Sequence, residues 1–206
     1  MGFEGDRPSH TGLARGGAKT GKVARAIPSD TRKRLDHQAA LLDADIIIKS
    51  FGQPELKDTL FPFLEELFLA PTVTSEICFE FLRSASFPET HQKRTSFIKN
   101  WTVLPVAAED RDIAVHIGRI YQSYGLTPSL TDCISAAILR KFPKRLFLVT
   151  LNHKDFPPFL FERLHADVID TRTPKGVWDM LVWGVYAFDE AKYRAEARRL
   201  EGLRAA

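Results

Sequence analysis

The chain reads as an α/β protein, a three-layer α/β/α domain built on a small, mainly parallel sheet. Three observations predict this. Short apolar runs of strand length alternate with longer segments of helical periodicity, the order produced by parallel β–α units. There is no two-residue hairpin signal between such runs. Carboxylates stand at the edges of the apolar runs, where strands end or helices begin, and ligands of such sheets collect at the carboxyl ends of strands.

The elements follow in chain order. Residues 1–35 are rich in Gly, Ser, Pro, Thr and charge, with almost no apolar period, and are read as a disordered basic arm. Order is expected from about Leu35. Leu41–Asp43 is a short buried strand running into a helix from Asp45, which Gly52-Gln53-Pro54 breaks. Leu56–Leu69 is helical, with Leu60, Phe63, Leu64 and Leu67 at core spacing. Pro71–Val73 is a short strand and Ser75–Ser84 a helix, with Glu76 and Glu80 one turn apart on one side of it. Thr90–Trp101 is a polar helix or loop, and Trp101–Pro105 a strand. Glu109–Tyr124 is amphipathic and stopped by Gly125. A helix starts at Pro128-Ser129 and runs to about Lys141, followed by a buried strand, Arg145–Leu151. Phe159–Leu164 is read as a short helix, Ala166–Asp170 as a strand and Val177–Arg204 as a helical region. The domain reading is therefore a basic arm at 1–35, a catalytic-type domain at 36–172 and a helical extension at 173–206.

Bulk properties bound the function. The 206 residues are 44% hydrophobic, enough for one domain with a sizeable core. No apolar run has the length a membrane helix needs, and the basic N-terminus lacks an apolar signal core, so a cytoplasmic protein without membrane contact is expected. Cys78 and Cys133 lie in apolar helical contexts and read as buried small hydrophobes. The net charge of +3 is uneven: residues 1–35 carry +5 and the rest −2. A basic arm of this kind suits either phosphate binding or a solvated leader.

Four segments carry the candidate chemistry. They are Leu41-Leu42-Asp43-Ala44-Asp45-Ile46-Ile47-Ile48, Thr74–Arg83, Leu130–Leu139 and Leu148–Phe156. Each acid in them has a plain structural role open to it. Asp43 or Asp45 can cap a helix, Glu76 and Glu80 can be solvated helix-flank residues, and Asp132 completes a capping box with Ser129. Asn152 and Asp155 can form Asx turns before Pro157-Pro158. Taken together their order and contexts resemble the PIN-domain nucleases, especially the toxin ribonucleases of VapC type. The last two segments are the more specific, a Thr-x-Asn-x-x-Asp-Phe run about 20 residues beyond an Asp-x-Ile-x-Ala-Ala helix. The resemblance covers roughly residues 40–172.

That resemblance implies a PIN-like fold and a metal-dependent endoribonuclease. Asp43, Glu80, Asp132 and Asp155 match the family's acids, with Asn152 in the final polar pair and Glu76 a weaker alternative to Glu80. They would hold one or two Mg²⁺ or Mn²⁺ ions, activating water against an RNA phosphodiester. The implied partners are an RNA substrate, an antitoxin protein covering the acidic pocket, and a second copy in a homodimer. Two departures matter. Asp45 replaces a common Asn, and Asn152 stands where many members carry Asp. The second keeps open another reading, a catalytically degenerate module that binds RNA or a protein partner without cleavage.

Other motifs are weak. Gly16–Val23 matches GxxxxGK but lacks the following Ser/Thr, a preceding strand and a following apolar helix. The histidines show no zinc spacing. His153 is expected to be an exposed turn histidine, and Trp178 and Trp183 to be core or interface residues.

Overall fold

Six strands form one sheet in the order β3-β2-β1-β4-β6-β5, and its centre is built from the shortest apolar segments of the chain. The computed structural model describes residues 27–172 and 176–205. Strands β1 (Ala39–Leu42), β2 (Ala70–Thr74), β3 (Thr102–Leu104) and β4 (Leu146–Thr150) are mutually parallel neighbours. Every residue of β4 is buried, as expected of a strand covered on both faces, which explains its unbroken Leu-Phe-Leu-Val pattern.

The helices are α1 (Ser29–Leu35), α2 (Ala44–Gly52), α3 (Pro54–Glu66), α4 (Ser75–Arg83), α5 (Pro88–Ile98), α6 (Ala108–Gln122), α7 (Leu130–Lys141) and α8 (Glu190–Ala205). Helices α2 to α5 pack among themselves, and α6 packs on both α7 and α8. With the sheet this makes a mixed α/β fold, consistent with three layers. The expected stop at Gly125 is present, with φ at 72° in the left-handed region. Among the described residues no helix is long and apolar enough to cross a membrane.

Three expectations are corrected. First, Ser29–Leu35 is helical rather than part of a disordered arm. Leu35 is buried, Arg32 pairs with Glu66 and Arg34 with Glu162, each at 2.8 Å, so tertiary contacts hold a segment too polar to show a period. Residues 1–26, including the Gly16–Val23 motif, lie outside the described residues. Second, Phe159–Leu164 is not a helix. Phe161–Arg172 is one long strand, β5, with an irregularity between Arg163 and His165. Third, Val177–Arg204 is not helical throughout. Trp178–Phe188 is strand β6, antiparallel to both β4 and β5, and only the charged second half forms α8. The supposed helical extension thus lays a strand into the sheet between β4 and β5. A continuous apolar run suits a buried helix and a buried strand equally; the aromatic and β-branched content of Val182, Trp183, Val185, Tyr186 and Phe188 favours the strand.

Gly184 leaves little room for a side chain. A Cβ there would lie 3.0 Å from a ring carbon of Tyr186, 3.1 Å from His153 Cε1 and 3.2 Å from the His165 carbonyl oxygen. Gly184→Ala is expected to cost about 1–3 kcal/mol through overpacking, read as a lower urea midpoint at unchanged m-value.

Candidate functional site at the carboxyl edge

Asp43 follows the last residue of β1 and caps α2. Its Oδ1 accepts the Ala44 N–H at 2.8 Å, and its Oδ2 accepts the Thr150 hydroxyl, also at 2.8 Å. Thr150 ends β4, the strand beside β1, and its Oγ1 also accepts the Asn152 N–H at 2.9 Å. Parallel pairing of β1 and β4 therefore brings the first and last acidic segments together. Asp43 is only 5% exposed. Burial, then the neighbouring Asp45 and Asp132 charges, push its carboxyl up to about 7 against the opposing Thr150 and Ala44 hydrogen bonds.

Asp45 stands in the first turn of α2. Burial raises its carboxyl above the ordinary range, and its Oδ1 is enclosed without a hydrogen-bond partner among the described residues. Asp132 is 7% exposed at the third position of α7. It forms the expected capping box: its Oδ2 takes the Ser129 N–H at 3.0 Å and the Ser129 hydroxyl at 2.6 Å, while its own N–H donates to Ser129 Oγ at 3.1 Å. Burial raises this carboxyl too, helped by the Asp155 and Asp45 charges and opposed by Ser129.

Asp155 ends a single 3-10 turn, His153–Asp155. Its Oδ2 accepts the Asn152 side-chain amide, and its carbonyl oxygen accepts the Tyr121 hydroxyl. Asp43 and Asp132 thus lie within electrostatic reach of each other and of Asp45, and Asp132 also of Asp155. Glu80 approaches this group through Thr131, whose hydroxyl donates to Glu80 Oε2 at 3.4 Å. Glu76 is committed elsewhere, accepting the Ser75 hydroxyl at 2.8 Å and facing Arg111 at 3.6 Å. Ser75, Glu76, Phe79, Glu80, Arg83 and Thr131 line an open groove beside the acids.

His153 is not a free turn histidine. Its Nε2 donates to the Val182 carbonyl at 3.0 Å, so in the neutral ring Nδ1 accepts from the Tyr186 hydroxyl, tying the turn to β6. Trp183 is core, whereas Trp178 is 65% exposed. Cys78 and Cys133 are free thiols, with Cys133 buried and its pKa pushed up to about 11 by burial, as befits small hydrophobes.

Among the described residues no group of three or more His, Cys, Asp or Glu side chains is arranged to hold a metal ion. Both Asp43 oxygens and Asp132 Oδ2 serve the chain's own donors, and Asp155 Oδ2 accepts the Asn152 side-chain N–H. As arranged, the donor set does not fit a ready divalent site. Thr150, Ser129 and Asp45 are the participants that sequence reasoning assigned no part in the pocket. The Thr-x-Asn run and the Asp-x-Asp pair were their signals.

No protein-family model matches the chain, and no curated protein matches it. Among solved structures it is similar to a toxin–antitoxin complex from Klebsiella pneumoniae, at 24% identity and a TM-score of 0.47, over 58% of this chain and 92% of that one.

Proposed function

We propose that the chain is a PIN-like module whose acidic carboxyl-edge pocket holds a protein partner without cutting nucleic acid. The observation that carries this is the state of the pocket's donors. Both Asp43 oxygens and Asp132 Oδ2 accept from Thr150, Ala44 and Ser129, yet the carboxylates keep an acidic field at the strand ends. Such a field repels a phosphate backbone and attracts a lysine or arginine side chain.

A second reading is favoured by a specific observation. Burial and neighbouring charges raise Asp43 to about 7, and burial raises Asp45, whose Oδ1 has no hydrogen-bond partner among the described residues, the condition that a cation among the carboxylates would relieve. This is the metal-dependent endoribonuclease, the toxin of a toxin–antitoxin pair, with Asp43, Glu80, Asp132, Asp155 and Asn152 as ligands for Mg²⁺ or Mn²⁺.

Mn²⁺ titration by calorimetry, with cleavage of a panel of structured RNAs and DNAs in Mn²⁺ or EDTA, separates the two. The binding-module reading expects Mn²⁺ affinity no tighter than about 1 mM, in the weak range of oxygen-ligand sites, and no metal-dependent cutting. RNA cleavage that requires Mn²⁺ and is lost in Asp132→Asn would replace it with the nuclease.

A further inference from the structure

Three non-glycine residues of the described chain have a left-handed backbone, His37 at φ 57°, Phe68 at 49° and Lys144 at 65°. Each stands two residues before a strand. Ala39 of β1 pairs with Ala70 of β2 and with Leu146 of β4, so Phe68, His37 and Lys144 form one row across the amino ends of three neighbouring strands. Backbone hydrogen bonds tie the row together, from the His37 N–H to the Leu67 carbonyl at 3.0 Å and from the Ala39 N–H to the Arg145 carbonyl at 2.9 Å. His37 and Phe68 directly follow the C-caps of α1 and α3, where glycine is the ordinary residue because a side chain strains this conformation. Strain of this kind gathers where a side chain is kept for a ligand.

The two rings stack on each other, with centroids 4.7 Å apart and planes 8° from parallel. The stack occupies one face of each, and Phe68 is still 65% exposed, so its outer face is open. The turns leading into β1, β2, β3 and β4 are residues 36–38, 67–69, 99–101 and 142–145. They carry three exposed cations, Lys99, Lys144 and Arg145, against one acid, Asp36. Glu65 and Glu66 lie in the last turn of α3, and Glu66 is taken up by Arg32 at 2.8 Å. Among the described residues the three cations form no ion pair. The sheet is thus polarised, acidic at the carboxyl ends of its strands and basic at the amino ends of β1 to β4.

We infer that the amino edge is a binding site for a short single-stranded nucleic acid, with a base stacked on the open face of Phe68 and phosphates on Lys144 and Arg145. The site is separate from the acidic pocket and does not depend on what that pocket holds. An aromatic face accepts any base, and the flanking cations answer the backbone. An acidic peptide answers the cations but gives the ring no flat partner. Spacing sets the length of the ligand. Phe68 and Lys144 stand two strands apart, roughly 10 Å at the usual interstrand distance, so an oligonucleotide engages ring and cations together and a lone base only the ring.

The test is fluorescence anisotropy on the full chain in EDTA. The probes are labelled oligoadenylate octamers, ribo and deoxyribo in parallel to tell RNA from DNA, and an abasic octamer with the same number of phosphates. At least one adenylate octamer should bind about tenfold tighter than the abasic one, the order expected for a stacked base. Phe68→Gly should erase that preference yet melt no lower than wild type, because glycine accepts the φ of 49°. Phe68→Trp should retain it. Lys144→Gly combined with Arg145→Ala should weaken every octamer and flatten the slope of log K against log salt by about 1.4, the share of two phosphate contacts on a single strand. No binding of either adenylate octamer, equal affinity for adenylate and abasic strands, or a preference that survives Phe68→Gly would each overturn the site. In the last case Asp132→Asn shows whether the strand lies at the carboxyl edge instead.

Discussion

Trp183→Ala is expected to lower the unfolding free energy by about 3–5 kcal/mol, the range for emptying a large aromatic site in a packed interior. Trp183 is fully buried near the middle of β6 and packs on Phe63 at 4.8 Å and on His165 at 5.5 Å. Its indole Nε1 is enclosed without an acceptor among the described residues. Burying an unpaired donor costs free energy, so Trp183→Phe loses ring volume but also removes that penalty, and should cost under about 2 kcal/mol. Urea denaturation of the two variants gives both numbers. A Trp183→Ala loss below about 1 kcal/mol would mean that residues 178–188 are not part of the cooperative core, and the strand would have to be treated as an appendage.

That experiment bears on the part of the fold least legible in the sequence. Strands β1 to β4 are visible because each is a short run bounded by a turn or a capped helix, as where Leu42 gives way to Asp43 or Thr74 accepts the Ile77 N–H. Helices α3 and α6 show their period directly, whereas α7, buried without a break from Asp132 to Leu139, is marked by its capping box. The β5–β6 hairpin shows neither. Leu164 sits at the irregularity in β5, so alternation is broken where it should be read. In β6 the run from Leu181 to Val185 is apolar on both faces, leaving no period of two. Its strand identity is decided by pairing with β4, as in Leu148↔Tyr186, a long-range contact that no local window contains.

The candidate site was more legible than the hairpin beside it. Asp43, Asp132 and Asp155 come from segments far apart in sequence and meet at one sheet edge, because strand order places β1 against β4 and α7 leads into β4. What the sequence withheld is how each oxygen is used. A capping box and a threonine hydroxyl look the same in a motif whether they hold a carboxylate ready for a ligand or satisfy it outright. The choice between Glu80 and Glu76 had the same origin. One helical turn separates them, and Glu76 is engaged by its neighbour Ser75 and by Arg111 from the distant α6.

Asp43→Asn is expected to stabilise the protein at pH 8 by about 1–3 kcal/mol, less than the full linkage value of a shift this large because the carboxylates share their repulsion. The sign follows from the direction of the shift. The buried carboxyl holds its proton up to about pH 7 in the folded state, whereas the unfolded chain releases it near pH 4. Between those values the native state binds the extra proton, so stability falls as pH rises, and the full penalty is present above about pH 7. An asparagine at this position can still accept the Ala44 N–H, and its amide can donate to Thr150 Oγ1, so both local contacts survive while the charge is removed. Thermal melts of wild type and variant at pH 5 and pH 8 should therefore show a gain that is small in acid and large in base. If the variant instead loses about 1 kcal/mol at both pH values, Asp43 is a helix cap and little more. A gain confined to high pH means that the chain maintains a destabilising charge at its carboxyl edge, which selection tolerates where binding or chemistry uses it. Adding Mn²⁺ to the same melts divides those uses. A cation held by Asp43 raises the wild-type melting temperature and leaves Asp43→Asn where it was. A pocket built for a cationic side chain of a partner gives no such difference.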